Sequence, residues 1–485
     1  MNNDKRPGSI ASQQAHQYEA YLQDPSTAPH KVAVQKVPLS AQQKSWIENA
    51  WALLDSQHAI DLDVDLVNIF SPTGFEKEIN HFIVDYWKRA GVQAFYQQMD
   101  EHQGNGVARL IGEGDGPTLF LCCPIDSHWT GKLEDDGLQW GDPMRRDNTQ
   151  PAVVEGQTII GLGSSNDKGA ASSIMMAVEA LHRANVPLQG TLIASTLAGG
   201  APALSPDDEP RKNIGFCQGL IHALCNGQQS DYALLHKPGH HVSWEEPGMC
   251  FFRIRIHGNP DYMATENRAD DGTDPDTRAP YRVFTDTARI LSALDAAAKE
   301  YRQLAKAGTF KPAMAVGAVR AGAPNKPNWS TAISEVFLDI RPAPWTAPIE
   351  IKYWFDALML DIISSHPGMK VDWEMTVSLP GGRTDPNNWI IQSSIRAVQA
   401  LEGVSNDEYE GSVGGQTEAG MLRNWGIPTA RISGGPPNPE LPEDLKPGFT
   451  MSGAYAPHLI DAAKVLIYIA VDTLTRSREE TGLPY

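Results

Sequence analysis

The sequence has no run of about 18 consecutive apolar residues, which is the length that a membrane-spanning helix needs. It opens on a polar stretch, MNNDKRPGSIASQQAHQYEAYLQDP, that has no apolar core of the kind found in secretory signals. We therefore expect neither a membrane span nor a secretory signal. Both absences favour a cytoplasmic protein that is not attached to a membrane.

Cysteine is scarce, with five residues at positions 122, 123, 217, 225 and 250. The number is odd and the spacing is irregular, which excludes a framework of structural disulfides. Reduced thiols are typical of the cytoplasm.

Basic residues are in deficit. The sequence has 40 Lys and Arg against 59 Asp and Glu, so the formal net charge is −19. A surface of this sign repels nucleic acid and anionic lipid, which leaves a small-molecule substrate as the expected partner. The length of 485 residues is too great for one ordinary core and predicts two or three domains.

Buried strands and amphipathic helices alternate through the first half of the chain. Short apolar runs predict strands at TLFLCCPID (118–126), GTLIASTLAGG (190–200) and SDYALLHKPG (230–239). The segment QTIIGLG leads into the helical pattern KGAASSIMMAVEALHRANV. This alternation predicts an α/β fold with a mostly parallel sheet covered by helices.

The pattern changes near residue 247. CFFRIRIHG (250–258), ISEVFLDIRPAP (333–344) and KVDWEMTVSL (370–379) alternate with period two, as half-exposed strands do, around a helical stretch at 281–308. We interpret residues 247–380 as an inserted α+β lid domain. The interrupted α/β domain then comprises 46–246 and 381–485, behind an N-terminal arm of residues 1–45.

Polar residues follow several of the predicted strands, where ligands bind in open α/β sheets. Each alone is also what an ordinary turn or cap would contain, so the prediction of a site depends on their joint placement. These groups are Cys123-Pro124-Ile125-Asp126-Ser127-His128, Asn166-Asp167-Lys168, Gly199-Gly200, His236-Lys237, and Tyr455 with His458.

At these positions the chain resembles the aminoacylase, carnosinase, carboxypeptidase-G and succinyl-diaminopimelate desuccinylase family of dinuclear zinc hydrolases. The resemblance runs from about residue 60 to the C-terminus. It implies a zinc exopeptidase-like fold, hydrolysis of C–N bonds, and a lid that forms a homodimer. The motifs that carry it, in the family's order, are Trp140 with Asp142-Pro143, GQTIIGLGSSNDKGA, LDIRPAP and TEAGMLRNWGIPTARISGG.

The metal-binding residues of that family are not matched. Its His-x-Asp motif corresponds to Pro124-Ile125-Asp126, its bridging Asp to Asn166, and its acid before Pro to Lys237. The family's Glu-Glu pair corresponds to Gly199-Gly200, its late His to Tyr455, and its lid His to Tyr262. We therefore expect no metal cofactor, because an amide and an ammonium cannot hold paired dications.

A zinc-dependent alternative stays open. Asp167 could take the role of Asn166, His458 could replace Tyr455, and Glu246 before Pro247 resembles the acid-Pro motif. Imidazole also suits zinc, and several histidines lie near these turns.

The sequence predicts a hydrolase that cleaves an amide or related C–N bond of a small polar, carboxylated substrate without a metal. A non-catalytic, ligand-binding relative is the other alternative, favoured by the missing Glu pair. The predicted catalytic residues are Asp126, Asn166, Lys237, His236, His128 and Tyr455, and the predicted substrate-binding residues are Asn328, Arg341, Tyr262 and Glu418. Cys123 is a possible nucleophile, although a cysteine in a buried strand is more often an apolar filler.

Overall fold

The computed structural model describes residues 31–140, 145–203, 215–260, 262, 282–304, 312–411, 415–446 and 451–484. The first 30 residues of the predicted N-terminal arm and the Asp142-Pro143 part of one family motif lie outside this range.

The regular elements are numbered in chain order. The strands are β1 Lys31–Ala33, β2 Gln93–Gln98, β3 Gly104–Ile111, β4 Thr118–Pro124, β5 Val153–Glu155, β6 Thr158–Ile160, β7 Thr191–Leu197, β8 Tyr232–Gly239, β9 His241–Ser243, β10 Glu245–Glu246, β11 Met249–His257, β12 Ala313–Ala321, β13 Ile333–Arg341, β14 Val371–Leu379, β15 Gly382–Arg383, β16 Glu408–Glu410, β17 Thr429–Gly434 and β18 Gly453–Tyr455. The α-helices are α1 Ala41–Trp51, α2 Ser56–Asn68, α3 Lys77–Arg89, α4 Leu133–Trp140, α5 Ala170–Arg183, α6 Gln218–Cys225, α7 Arg282–Leu304, α8 Pro348–Ser364, α9 Trp389–Glu402, α10 Glu418–Asn424 and α11 Ala456–Leu474.

The described residues form two compact units. The first unit contains 31–244 and 384–484, and the second contains 245–383. The chain leaves the first unit after β9 and returns to it just before α9.

The first unit is built on a sheet with the strand order β2-β3-β7-β4-β8-β17-β9. The neighbouring strands β7, β4, β8 and β17 are parallel, and antiparallel strands flank them on both sides. The strands β4 and β7 are buried along almost their whole length, which is why their sequences are mainly apolar.

Helices supply the rest of this core. The apolar residues of α5 and α11 pack with those of β4 and β8 in one cluster, which also includes residues of α2, α3 and α9. The side chain of Asn388 caps helix α9 by accepting a hydrogen bond from the amide of Ile390, and Gly403 follows the helix in the left-handed conformation. The prediction of a helix-covered, mostly parallel sheet is confirmed.

The second unit is an antiparallel sheet of order β12-β13-β11-β14 accompanied by α7 and α8. Alternate residues of β11 and β13 are buried, and they pack against apolar residues of both helices. This is the α+β composition that period-two alternation predicted. The sequence pattern did not indicate β12.

None of the helices among the described residues is both long and apolar enough to cross a membrane.

Candidate active site

The chemistry-bearing residues of the first unit lie where its parallel strands end. Asp126 and His128 follow β4, Gly199 and Gly200 follow β7, and Lys237 lies near the end of β8. Because these strands are parallel neighbours, their carboxyl ends meet at one edge of the sheet. A π turn, Ser164–Gly169, contributes the residues that precede α5.

A buried ion pair joins the π turn to β8. The Lys237 ammonium donates to Asp167, with 2.7 Å between Nζ and Oδ1, and only 13% and 1% of the two side chains are exposed. Burial raises the pKa of Asp167 to about 6, against the opposing charge of Lys237. Burial also works against the charge of Lys237, but Asp167 and Glu418 raise its pKa overall. Each group therefore favours the charged form of the other.

Asp126 is fully buried and its carboxylate is occupied by the surrounding structure. Its oxygens accept hydrogen bonds from the hydroxyl of Thr73 at 2.7 Å and from the amides of Gly200 at 2.9 Å and Ala201 at 2.8 Å. Asp126 thus holds the loop after β7. Because three donors already contact this carboxylate, its observed role is structural, and its catalytic role stays a prediction.

Glu76, at the start of α3, is a site residue that the sequence did not indicate. Its carboxylate accepts from the amides of Gly74 and Gly199, each at 2.9 Å, and from the side-chain amide of Gln103 at 3.0 Å. Burial, reinforced by the nearby charge of Asp126, raises the pKa of Glu76 to about 8. An acid just before a helix is an ordinary feature, so no sequence signal could have singled it out.

Glu418 lies in the first turn of α10, which Thr417 caps, and it is 1% exposed. Its Oε1 has no hydrogen-bond partner among the described residues. A Cβ atom on Gly200 would lie 2.6 Å from this oxygen, which places the carboxylate against the loop after β7. Burial raises the pKa of Glu418 to about 7, and Lys237 opposes the rise.

The two predicted histidines differ in their surroundings. His128 is partly buried, and burial lowers its pKa, with Asp126 opposing and Lys237 adding to the effect. His236 is 1% exposed, and burial followed by the charge of Lys237 lowers its pKa to about 3. Successive side chains of a strand point to opposite faces, so His236 does not lie on the side of β8 that carries Lys237.

The described side-chain hydrogen bonds of Asn166 and Tyr455 are made with residues other than Lys237 and Asp167. Asn166 donates from Nδ2 to the sulfur of Met451 at 3.4 Å, and its Oδ1 is buried without a described partner. The Tyr455 hydroxyl donates to Glu440 at 3.3 Å, and its ring packs edge-on against His458. The described contacts of Tyr455 do not include the Lys237–Asp167 pair.

The remaining predicted substrate-binding residues belong to the second unit. Tyr262 forms an antiparallel bridge to Trp329, with the ring centroids 5.4 Å apart. Asn328 is exposed in the adjoining loop. Arg341 donates from Nε to both carboxylate oxygens of Asp339, at 2.8 and 2.9 Å. This ion pair within the lid sheet competes with the predicted grip on a substrate carboxylate, and the substrate role of Arg341 stays a prediction.

Two buried thiols lie beside this site. Burial raises the pKa of Cys122 and of Cys123 well above the ordinary thiol value. The thiolate, which is the nucleophilic form of cysteine, is therefore disfavoured at Cys123.

The residues at this edge of the sheet do not fit a pair of divalent metal ions. The described part of the chain contains no group of three or more His, Cys, Asp and Glu side chains that could hold a metal ion. One oxygen of Asp167 is already bound to the ammonium of Lys237. A dication about 4 Å from that ammonium would be repelled by roughly 8 kcal/mol at an effective dielectric constant of about 20.

Comparison with known proteins identifies relatives that are hydrolases. No family model matches the chain. Over 147 residues it is 30% identical to a protein of Pyrococcus abyssi that is provisionally described as a LysW-lysine/LysW-ornithine hydrolase. The matched stretch is 30% of this chain and spans only 35% of that relative.

The fold is shared with solved structures over nearly the whole chain. Human carnosine dipeptidase 1 superimposes with a TM-score of 0.62 at 13% identity, covering 90% of this chain and all of that one. A dinuclear metal-binding M20 family peptidase of Bacillus subtilis gives a TM-score of 0.55 at 15% identity, covering 87% of this chain and 99% of its own. These findings confirm the resemblance drawn from the motifs: the chain has the fold of the M20 family of peptidases, and the sequence relative that it matches in part is described as a hydrolase.

Proposed function

We propose that this chain hydrolyses an amide or related C–N bond of a small polar, carboxylated substrate without a metal ion. The observation that carries the proposal is the buried Lys237–Asp167 pair, 2.7 Å apart. It puts a fixed positive charge at the position that the family resemblance aligns with an acidic motif. The hydrolase activity of the relatives supports the bond class.

Lys237 supplies the charge that the reaction needs. When water adds to an amide carbonyl carbon, negative charge develops on the carbonyl oxygen, and a buried ammonium stabilises that charge strongly. Asp167 fixes the ammonium in place and favours its charged form. A buried cation with a fixed partner needs little rearrangement as the reaction proceeds.

His128 is our candidate for proton transfer. Its lowered pKa keeps it neutral at pH 7, so it can take the proton of the attacking water. The same proton then goes to the departing nitrogen as the C–N bond breaks, and an acid and an amine leave. Asp126 and Glu76 act only by holding the loop after β7, and Glu418 faces the substrate.

The predicted partners and location belong to the same proposal. We expect a homodimer formed through the second unit, a small-molecule substrate, no nucleic acid or membrane partner, and a cytoplasmic location.

A metal assay and a substrate panel test the proposal together. Purified protein is analysed for zinc and other transition metals, and it is assayed on primary amides, N-acyl amino acids and dipeptides with and without chelator. We expect less than one-tenth equivalent of metal and turnover that survives chelation. Stoichiometric zinc that is lost together with activity would establish the zinc-dependent alternative. No turnover on any of the panel would favour a ligand-binding relative.

A variant that removes the charge of Lys237 tests its role in the reaction, and the folded fraction is measured alongside because the same change breaks a buried ion pair. Lys237→Met keeps the length of the side chain and removes its charge, and we expect kcat/KM to fall at least a hundredfold. Lys36→Met is the matched control, because Lys36 forms an ion pair with Asp407 at 2.8 Å on the exposed surface. It should leave kcat/KM within twofold of the wild type.

A further inference from the structure

A cavity lies in the first unit between the loop that leads into α3 and the turn that joins β2 to β3. Its volume is about 360 Å³, and sites that bind small molecules commonly measure about 300–1,000 Å³. None of its lining residues belongs to the candidate active site described above. The lining includes Phe70, Phe75, Lys77, Glu78, Glu101 and His102.

Three aromatic rings follow one another along this lining. The ring centroids of Phe70 and Phe75 are 5.9 Å apart, and those of Phe75 and His102 are 5.5 Å apart. Phe70 is 37% exposed and His102 is exposed, so a ligand can contact their rings. The Nζ atom of Lys132 lies 5.3 Å from the centroid of the Phe70 ring. A primary ammonium is therefore already attracted to one ring of this row, as the negative face of an aromatic ring predicts.

The charged side chains of the lining carry an excess of negative charge. Lys77 contributes one positive charge and Glu78 and Glu101 one negative charge each, so the net charge is −1 with histidine counted as neutral. These three side chains form no ion pair within the described part of the chain. The whole molecule, at −19, adds to the attraction of a cation. Since Lys77 balances one of the two carboxylates, the cavity favours a single positive charge.

Hydrogen bonds fix the two segments that enclose the cavity. The amide of Lys77 donates to the carbonyl of His102 at 2.9 Å, and the side-chain amide of Gln103 donates to Glu76 at 3.0 Å. Asp100 accepts the amides of His102 and Gln103 at 2.7 and 2.8 Å. The cavity is therefore formed before a ligand arrives, and binding does not have to order its backbone.

Rings and carboxylates together restrict the class of ligand. A carboxylate would be repelled by Glu78 and Glu101, and a neutral aromatic compound would gain nothing from their charge. A small ammonium without a ring would leave the aromatic part of the lining in contact with water. An amine that carries an aromatic ring satisfies both features.

We propose that this cavity binds an arylalkylammonium, which is a primary amine joined by a short alkyl chain to an aromatic ring. The ammonium lies at Glu78 and Glu101, and the ring packs against Phe70 and Phe75. The amine is bound without being transformed. This binding goes beyond the proposed hydrolase function, and neither proposal depends on the other.

A matched ligand series tests the charge and the ring separately. 2-Phenylethylamine, 2-phenylethanol and 3-phenylpropanoate carry the same ring with a positive, no and a negative charge, and butylamine carries the charge without the ring. By calorimetric titration at pH 7.5, we expect 2-phenylethylamine to bind at least threefold more tightly than 2-phenylethanol. The factor is modest because exposed charges are screened by water.

The same titration should give at least tenfold weaker binding for 3-phenylpropanoate, which is repelled, and for butylamine, which loses the apolar contact. Binding of 2-phenylethanol or 3-phenylpropanoate as tight as that of the amine would overturn the proposal. Equal binding of butylamine, or no binding of 2-phenylethylamine, would overturn it too. The measurement needs no turnover, so it holds whether or not the chain is a hydrolase.

Variants show where the amine binds. Glu101→Gln keeps the shape of an exposed side chain and removes its charge, so it should weaken 2-phenylethylamine at least twofold and leave 2-phenylethanol unchanged. Replacing both Glu78 and Glu101 by Gln should abolish the preference for the amine over the alcohol. Phe70→Ala should weaken both ligands. Glu113→Gln is the matched control, because Glu113 is exposed outside the cavity. Unchanged affinity in both Phe70→Ala and Glu101→Gln would place the amine elsewhere and refute this site.

Discussion

Glu76 and Asp126 hold the same loop from two directions. Glu76 accepts the amide of Gly199, and Asp126 accepts the amides of Gly200 and Ala201, all at 2.8–2.9 Å. The resemblance places a metal-binding Glu-Glu pair of the zinc hydrolases at this loop. Here the loop has no acidic side chain at Gly199 or Gly200, and the carboxyl groups of Glu76 and Asp126 accept hydrogen bonds from its backbone.

The raised pKa of Glu76 predicts how stability changes with pH. The folded protein holds the proton of Glu76 up to about pH 8, whereas an unfolded chain releases it near the ordinary value of 4.5. The unfolded state therefore binds fewer protons between these values, and stability falls as pH rises from about 5 to 8. Glu76→Gln lacks this titration. Between pH 5.5 and 7.5, its free energy of unfolding should therefore rise relative to that of the wild type by on the order of 1 kcal/mol or more.

Scanning calorimetry at pH 5.5, 6.5 and 7.5 measures this difference as a change in relative Tm. Gln103 makes the substitution structurally tolerable, because its Oε1 is unpaired and its amide can turn to accept from the new side chain. Asp167 and Glu418 have raised pKa values too and remain in both proteins, so only the difference between the two is informative. Parallel pH profiles would show that Glu76 is already ionised in the folded protein.

The Lys237–Asp167 pair should behave as one unit in folding. Removing one partner leaves the other as a buried charge without its counter-charge. We therefore expect Lys237→Met and Asp167→Asn each to lower the free energy of unfolding by about 3–5 kcal/mol. The double variant leaves no buried charge of this pair and should cost clearly less than the sum. Denaturant titration of the three variants measures the interaction energy. Additive losses would mean that the two side chains do not interact in solution.

A second buried charge cluster, away from the candidate site, should matter only for stability. Asp472 on α11 pairs with Arg396 at 2.7 Å and with Arg476 at 3.0 Å, and both guanidinium groups lie over the ring of Trp389. Asp472→Ala removes the buried carboxylate that pairs with both guanidinium groups, and it should destabilise the protein by about 3–5 kcal/mol. Asp461→Ala, which removes a partly exposed ion pair on the same helix, should cost less than about 1 kcal/mol. Denaturation midpoints distinguish the two results.

Tyr455 offers a test of one sequence-based assignment. Its hydroxyl donates to Glu440 and its ring packs against His458, outside the contacts of Lys237 and Asp167. Tyr455→Phe should therefore change kcat/KM less than twofold on any substrate of the panel. A tenfold loss would restore the catalytic role that the motif alignment predicted.

Much of the fold could be predicted from the sequence because buried parallel strands leave a strong local signal. TLFLCCP and TLIASTL are mainly apolar and almost fully buried, and each is a central strand of the sheet. The strand QAFYQQ carried no such signal, since none of its residues is fully buried and three of the six are glutamine. The pattern of β12 was missed for the same reason, because nearly all of its residues are exposed.

The sequence by itself determined which residue types stand at the motif positions, and the resemblance aligns Asn166, Lys237 and the glycines of the loop after β7 with acids of the family pattern; that alignment stays a prediction. Only the tertiary structure decided that Lys237 binds Asp167, that Asp126 is occupied by amides, and that Glu76 belongs to the site. Those contacts form because strand pairing and the turn before α5 bring together side chains that are far apart in the sequence. Contacts between residues 70 and 123 positions apart in the chain leave no local pattern in the sequence.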